Sequence, residues 1–202
     1  MAQCNPEHIT GLVLAGGQGT RMGHADKGLQ RLRGYPMVMH VLVRLAPQVG
    51  SILINANRNL DVYESLGYPV VSDVVPGFAG PLAGIHAGLL RCTTEFMLCV
   101  PCDVPFLPVD LAQRLYAALE PAAADLATVR AGDQPHPVFC LMRQRVAPGL
   151  AMFIEGGGRK IDAWQATTRA VPVEFADQEA AFANINTIEE LRAFEPPETP
   201  GR

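Results

Sequence analysis

Gly11-Leu-Val-Leu-Ala-Gly-Gly-Gln-Gly-Thr-Arg-Met-Gly-His-Ala-Asp-Lys-Gly28 begins as an apolar run and ends as a glycine-rich, basic loop. Leu12 to Ala15 predict a short buried strand, and the loop after it carries Gly16, Gly17, Gly19 and Gly23. Lacking a Cβ, such positions accept positive φ and let backbone N–H groups come close to a bound group. Successive N–H donors in a turn of this kind form a concave anion site. Arg21 and Lys27 add positive charge at fixed offsets, so the stretch predicts a phosphate site. A P-loop would need Ser or Thr directly after the lysine, but Lys27 is followed by Gly28. A dinucleotide fingerprint begun at Gly17 and Gly19 meets Met22 where its third glycine belongs.

Outward from this loop, apolar periodicity predicts a helix over 36–46, a strand over 52–55, a short helix over 60–66 and a strand over 69–73. A helix over 81–90 follows, rich in small residues (Ala83, Gly84, Ala87, Gly88) that permit close backbone packing. The continuous run Phe96-Met-Leu-Cys-Val100 is of central-strand type, and a helix over 108–119 comes after it. Strands alternating with helices predict an α/β fold: a three-layer, Rossmann-like, mixed but mostly parallel sheet. Beyond Pro121 the rhythm changes. Segments 126–129 and 137–141, separated by a turn-rich stretch, predict paired or edge strands. Helices are expected near 146–155 and 160–165, a strand near 170–175, and a last helix opened by the capping box Thr187-Ile-Glu-Glu190. No repeat or linker interrupts the chain, which predicts a single domain over 1–202 with its core at about 9–194 and a disordered tail over 195–202.

In open α/β sheets, ligands bind beyond the carboxyl ends of the strands. Those ends carry the glycine loop, Asn55, Asp73 and Asp103 in turn. Asp103 sits between Pro101 and Pro105 at the end of a buried strand. A carboxylate beside phosphates is repulsive unless a cation bridges them, and Mg²⁺ is held by one or two carboxylates plus substrate phosphates. The plain alternative is a turn residue or helix cap ahead of Pro108. Asn55 and Asp73 fit hydrogen-bonding partners for a base or ribose, and fit polar residues that simply close strands equally well. Cys99-Val-Pro-Cys102 matches C-x-x-C without a second pair, so redox or zinc chemistry is the weaker reading. His40 and His136 suit core or turn roles, and no arrangement for covalent catalysis is apparent.

The 202 residues are 49% hydrophobic and 18% charged, with a formal net charge of −4. That balance argues against a general nucleic-acid or acidic-membrane surface, and no apolar run approaches the ~18 residues of a spanning helix. The first residues show neither the basic region nor the apolar stretch of a secretory signal. Five cysteines (Cys4, Cys92, Cys99, Cys102, Cys140), mostly in apolar runs, suit reduced thiols in a cytoplasmic protein.

Leu14-Ala-Gly-Gly17 with Arg21-Met-Gly23 and Asp26-Lys-Gly28 resembles the signature of nucleotidyltransferases with a nucleotide-diphospho-sugar-transferase fold. Asn55-Ala-Asn57-Arg58, Gly80-Pro-Leu-Ala-Gly84, Pro101-Cys-Asp103-Val-Pro105 and Asn184-Ile-Asn186-Thr narrow the resemblance to the molybdenum cofactor guanylyltransferases of the MobA family. One departure is His24, where related enzymes often carry a second glycine. The resemblance implies that the Leu14-Ala15-Gly16 backbone, Lys27, Asn55 and Asp73 contact GTP and that Asp103 carries Mg²⁺. It also implies that Gly17, Arg21, Gly80, Gly84, Arg159, Asn184 and Asn186 line the active site or the pterin side. Arg21, Lys27 and metal-bearing Asp103 would offset the charge as a terminal phosphate of molybdopterin attacks the α-phosphorus of GTP. Other cofactor-biosynthesis proteins and apo-molybdoenzymes are the implied protein partners. A cytidylyltransferase is the nearest alternative, and a non-catalytic GTP-binding regulator a more distant one.

Overall fold

Strand β1 (Ile9–Leu14) is buried along almost its whole length because its side chains enter two cores. Ile9 and Val13 face one, Leu12 the other, and strand β6 (Phe96–Pro101) repeats the alternation: Phe96, Leu98 and Val100 on one side, Met97 and Cys99 on the opposite side. Period-two alternation with both faces apolar requires a covering layer on each. In the computed structural model, which describes residues 4–15, 26–75, 80–185 and 187–194, those layers are helices. Helices α1 (Met37–Leu45) and α4 (Leu111–Leu119) cover one face, and α3 (Pro81–Arg91), α5 (Ala147–Glu155) and α6 (Ile161–Gln165) cover the other.

The remaining elements are β2 (Arg31–Leu32), β3 (Tyr35–Pro36), β4 (Ser51–Asn55), α2 (Leu60–Glu64), β5 (Val70–Val71), β7 (Leu126–Ala131), β8 (Gln134–Arg143), β9 (Ala170–Glu174) and α7 (Ile188–Ala193). The main sheet has seven strands in the order β5-β4-β1-β6-β8-β7-β9. β8 is antiparallel to both neighbours, while the other pairings are parallel. This is the expected three-layer, mostly parallel, Rossmann-like architecture.

Two differences from the expected elements have causes in the packing around them. The turn-rich stretch after Val129 is mostly strand: β8 starts at Gln134, and only Gly132 and Asp133 turn. Pro135 and Pro137 are tolerated because β6 pairs with β8 only from Cys140 to Arg143, so their missing N–H groups lie on a stretch with one neighbour. α4 begins at Leu111 rather than Pro108. Buried Gln48 fixes that start, donating through Nε2 to Pro108 O and accepting at Oε1 from Ala112 N–H, each at 2.9 Å.

The capping box forms as expected. Glu190 N–H donates to Thr187 Oγ1 at 3.1 Å, and Thr187 N–H to Glu190 Oε2 at 3.3 Å. Among the described residues no helix is long and apolar enough to cross a membrane. The tail over 195–202 lies outside the described residues.

Candidate active site

The carboxyl ends of β4, β1 and β6 lie flush. Ala15 N–H donates to Asn55 O at 2.8 Å, and Cys102 N–H donates to Leu14 O at 3.0 Å. Ala56 N–H reaches Val71 O at 3.0 Å, which brings β5 and the residues after it to the same edge. Leu14, Ala15, Asn55, Asp73 and Asp103 therefore leave the sheet together, where the topology predicts a ligand.

Asn55 is buried, and its Nδ2 donates to Val71 O at 3.1 Å and to Asp73 Oδ1 at 3.0 Å. Asn57 completes the network from the solvent side: its Nδ2 donates to Asp73 Oδ2 at 2.9 Å, and Asp73 N–H donates back to Asn57 Oδ1 at 2.9 Å. Each Asp73 oxygen thus spends one lone pair on an amide and keeps another for a donor outside the protein. Gly84, on α3, makes this possible. A Cβ there would lie 2.2 Å from Asn55 Oδ1 and 2.7 Å from Leu14 Cδ2. Gly80, the N-cap of α3, has φ 137 and ψ 171, backbone that a side-chain-bearing residue rarely adopts.

Lys27 opens a 3-10 turn over Lys27–Leu29, and its Nζ donates to Asp103 Oδ2 at 3.2 Å. Both side chains are largely withdrawn from water, 21% and 13% exposed, so their attraction exceeds that of a surface pair. Val104 and Leu107, fully buried, fasten the segment after Asp103. Ile185 N–H donates to Asp103 O at 2.9 Å, bringing the run with Asn184 beside Asp103. Asn184 itself is exposed. Arg159 is placed by another element: its Nη1 donates to Gly158 O at 2.9 Å and Ile154 O at 3.4 Å at the end of α5. Gly16, Gly17, Arg21 and Asn186 lie outside the described residues.

The two thiols of Cys99-Val-Pro-Cys102 enter different cores, and Cys99 faces Cys140 across the β6–β8 ladder. Burial pushes the Cys102 thiol well up, the Asp103 and Asp26 carboxylates add to it, and Lys27 opposes. Burial likewise raises Cys99, reinforced by a hydrogen bond with Cys140. All five cysteines are free. Protonated, buried thiols make poor nucleophiles and metal ligands. His40 bonds Leu32 O at 2.8 Å, and His136 packs with the rings of Phe139 and Phe182, so both are structural.

Among the described residues no group of three or more His, Cys, Asp or Glu side chains could hold a metal by itself. Asp103 brings one carboxylate to the sheet edge beside Lys27, and a cation that arrives bound to phosphates takes only one or two carboxylates from a protein. Residues 57, 59 and 63 carry contacts that periodicity could not reveal. Asn57 had a visible signal, since it lies two residues beyond Asn55. Asn59 and Tyr63, just before and within the short helix expected over 60–66, carried no signal of their own.

The family profile described as the MobA-like NTP transferase domain matches residues 11–170. The molybdenum cofactor guanylyltransferase of Cupriavidus metallidurans is 57% identical over 194 residues, covering 94% of this chain and 95% of that protein. The molybdenum cofactor guanylyltransferase of Ralstonia nicotianae is 57% identical over 193 residues, covering 91% and 94%. Among solved structures, the molybdopterin-guanine dinucleotide biosynthesis protein A of Archaeoglobus fulgidus superposes with a TM-score of 0.75 at 26% identity, covering 92% of this chain and 96% of that one. With a family profile over most of its length and relatives more than half identical to it, the chain belongs to the MobA-like nucleotidyltransferase family, alongside the molybdenum cofactor guanylyltransferases.

Proposed function

We propose that the chain transfers GMP from GTP to the terminal phosphate of molybdenum-bearing molybdopterin, forming the guanine dinucleotide and releasing pyrophosphate. The observation that carries this is the pairing of two sites along one sheet edge: the Asn55–Asp73–Asn57 network and the Lys27–Asp103 pair. The carboxylate of Asp73, with an acceptor lone pair left on each oxygen, suits the N–H-bearing edge of guanine or the hydroxyls of a ribose. Lys27 and Asp103 lie where the triphosphate would follow.

A terminal phosphate oxygen of the pterin forms a new bond to the α-phosphorus as the bond to the bridging oxygen of the β-phosphate breaks, and that electron pair leaves on pyrophosphate. The attacking oxygen is already anionic, so the protein supplies position and charge neutralisation rather than a strong base. Lys27 meets phosphate charge from the loop side. Asp103 would hold Mg²⁺, whose contribution is to neutralise phosphate charge and polarise the α-phosphorus. Arg21, Gly16 and Gly17 would extend the phosphate cradle, with Gly80, Arg159, Asn184 and Asn186 towards the pterin.

The test is pyrophosphate release from GTP and from CTP, each with molybdopterin and Mg²⁺. Release from GTP that requires the pterin is expected. Release from CTP alone would make the chain a cytidylyltransferase, and release of orthophosphate without pterin would point to a GTP-hydrolysing regulator.

A further inference from the structure

Asp26 is the N-cap residue of the turn that begins with Lys27, a position from which aspartate ordinarily accepts from the turn's own N–H groups. It makes no such cap. Its buried carboxylate points towards α2 instead: Tyr63 Oη donates to Oδ1 at 2.6 Å, Asn59 Nδ2 donates to Oδ2 at 2.9 Å, and Arg58 Nε lies 3.9 Å from Oδ2. A buried carboxylate is unfavourable unless its lone pairs are met, so these contacts hold Asp26 in one orientation. Asn59 contributes from a left-handed backbone, φ 52, a strain that persists where surrounding contacts fix it.

The other flank of Lys27 meets the same phenol. A Cβ at Gly28 would stand 2.5 Å from Tyr63 Oη and 3.3 Å from Cys102 Sγ. Tyr63 is fully buried, and that burial, with the Cys102 and Asp26 neighbours, raises its phenol, so the hydroxyl remains a donor. One side chain of α2 therefore touches both residues that bracket Lys27.

We propose that Tyr63 is a positioning residue for the transfer reaction: its hydroxyl, bonded to Asp26 and packed on Gly28, fixes the backbone from which Lys27 reaches Asp103 and the triphosphate. The inference rests on Lys27 being a phosphate-binding group. Tyr63→Phe keeps the ring and deletes the hydroxyl. With molybdopterin and Mg²⁺ present, kcat/KM for GTP is expected to fall about tenfold in the otherwise native chain, as a slightly misplaced charge-neutralising group would cause. In a Lys27→Met background the same change is expected to cost less than twofold, because nothing remains to be positioned.

A purely structural tyrosine would cost the same in both backgrounds, and that result, or no loss in the native background, overturns the proposal. Asn59→Gly keeps the left-handed backbone and removes the amide. It is expected to show the same background dependence with a smaller loss, and it takes the place of Tyr63→Phe if circular dichroism shows that variant unfolded. If the native chain releases no pyrophosphate from GTP, the functional reading fails separately. The cycle is then measured on GTP affinity by calorimetry, where coupling between positions 63 and 27 supports the positioning role and additivity overturns it.

Discussion

Gly84 and Gly88 lie one turn apart on α3 and differ only in what they press against, so alanine at each separates packing from ligand binding. At position 84 the new Cβ would stand 2.2 Å from Asn55 Oδ1 and 2.8 Å from its Cγ, more than about 1 Å short of van der Waals contact. Asn55 is only 3% exposed, so its side chain cannot yield without leaving Val71 O and Asp73 Oδ1. Losing a buried hydrogen bond to a charged acceptor costs about 1.5–3 kcal/mol, and the helix propensity of alanine over glycine returns about 1 kcal/mol. At position 88 the Cβ meets Leu12 Cδ2 at 2.6 Å and Met97 Sδ at 3.1 Å, apolar groups whose overpacking costs about 1–3 kcal/mol. With that return at both positions, each variant should lose at most about 2 kcal/mol, up to roughly 8 °C in Tm for a chain of this size. Only Gly84→Ala dislodges Asn55 and with it Asp73. GTP affinity by calorimetry should weaken at least about tenfold, 1.4 kcal/mol, for Gly84→Ala and stay within about twofold for Gly88→Ala. Equal affinities in two folded variants would refute the assignment of the Asn55–Asp73 network to the nucleotide.

Asp103→Ala should abolish pyrophosphate release in a chain that still folds, at a cost of about 1.5–3 kcal/mol because the lost hydrogen bond joins two charged groups largely withdrawn from water; full turnover with Mg²⁺ would sink the metal role. Asn57→Ala releases Asp73 Oδ2 and its N–H but leaves the buried Asn55 contacts in place, so GTP affinity should fall about three- to tenfold, near 1 kcal/mol, with the melting curve almost unmoved. A calorimetric Kd equal to the native one would remove Asn57 from the site. Far from the site, hydrogen bonding from Arg169, helped by Arg145, holds the Asp125 carboxyl down at about 2 against an ordinary 3.8. A depressed folded pKa stabilises above the unfolded value and loses that stabilisation as pH falls from about 4 to about 2. With both arginines more than half exposed, screening leaves about 1 kcal/mol, so in urea unfolding the native chain should lose its advantage over Asp125→Asn across that window and keep it unchanged from pH 5 to 7.

The sheet was legible because its central strands are apolar on both faces, and β1 and β6 show this without interruption. The hairpin of β2 and β3 was not, and its cause is distant. Arg33 occupies a left-handed position (φ 50) ahead of Gly34 (φ 85), where Asn-Gly would have been the readable signal. What holds arginine there is a bond from its Nε to Phe194 O at 2.9 Å, a partner 161 residues away. The same logic governs the start of β8, ahead of the run 137–141 that does read as a strand. Two prolines argue against a strand locally, and only the sheet order shows that their N–H groups would have met a neighbour on one side alone.

Within the site, residues that end strands were legible and residues that hold them were not. Asn55, Asp73 and Asp103 stand at changes from apolar run to polar turn, a boundary visible in one dimension. Tyr63 occupies an ordinary buried position on a five-residue helix, and nothing in its neighbours marks it as the partner of an aspartate 37 residues earlier. Asp26 is hidden in a different way: next to a lysine and a glycine in a basic loop it looks like a solvated turn residue, yet it is 8% exposed. A carboxylate withdrawn from water must be met by donors, and the donors come from whichever element packs there. Local sequence therefore identifies the groups that can meet a ligand, while the groups that fix their geometry follow from the packing of α2 against the turn at Lys27. That division also explains why Gly28 and Gly84 are informative. Each is a place where an absent side chain records the position of a hydrogen-bonding atom, Tyr63 Oη in one case and Asn55 Oδ1 in the other.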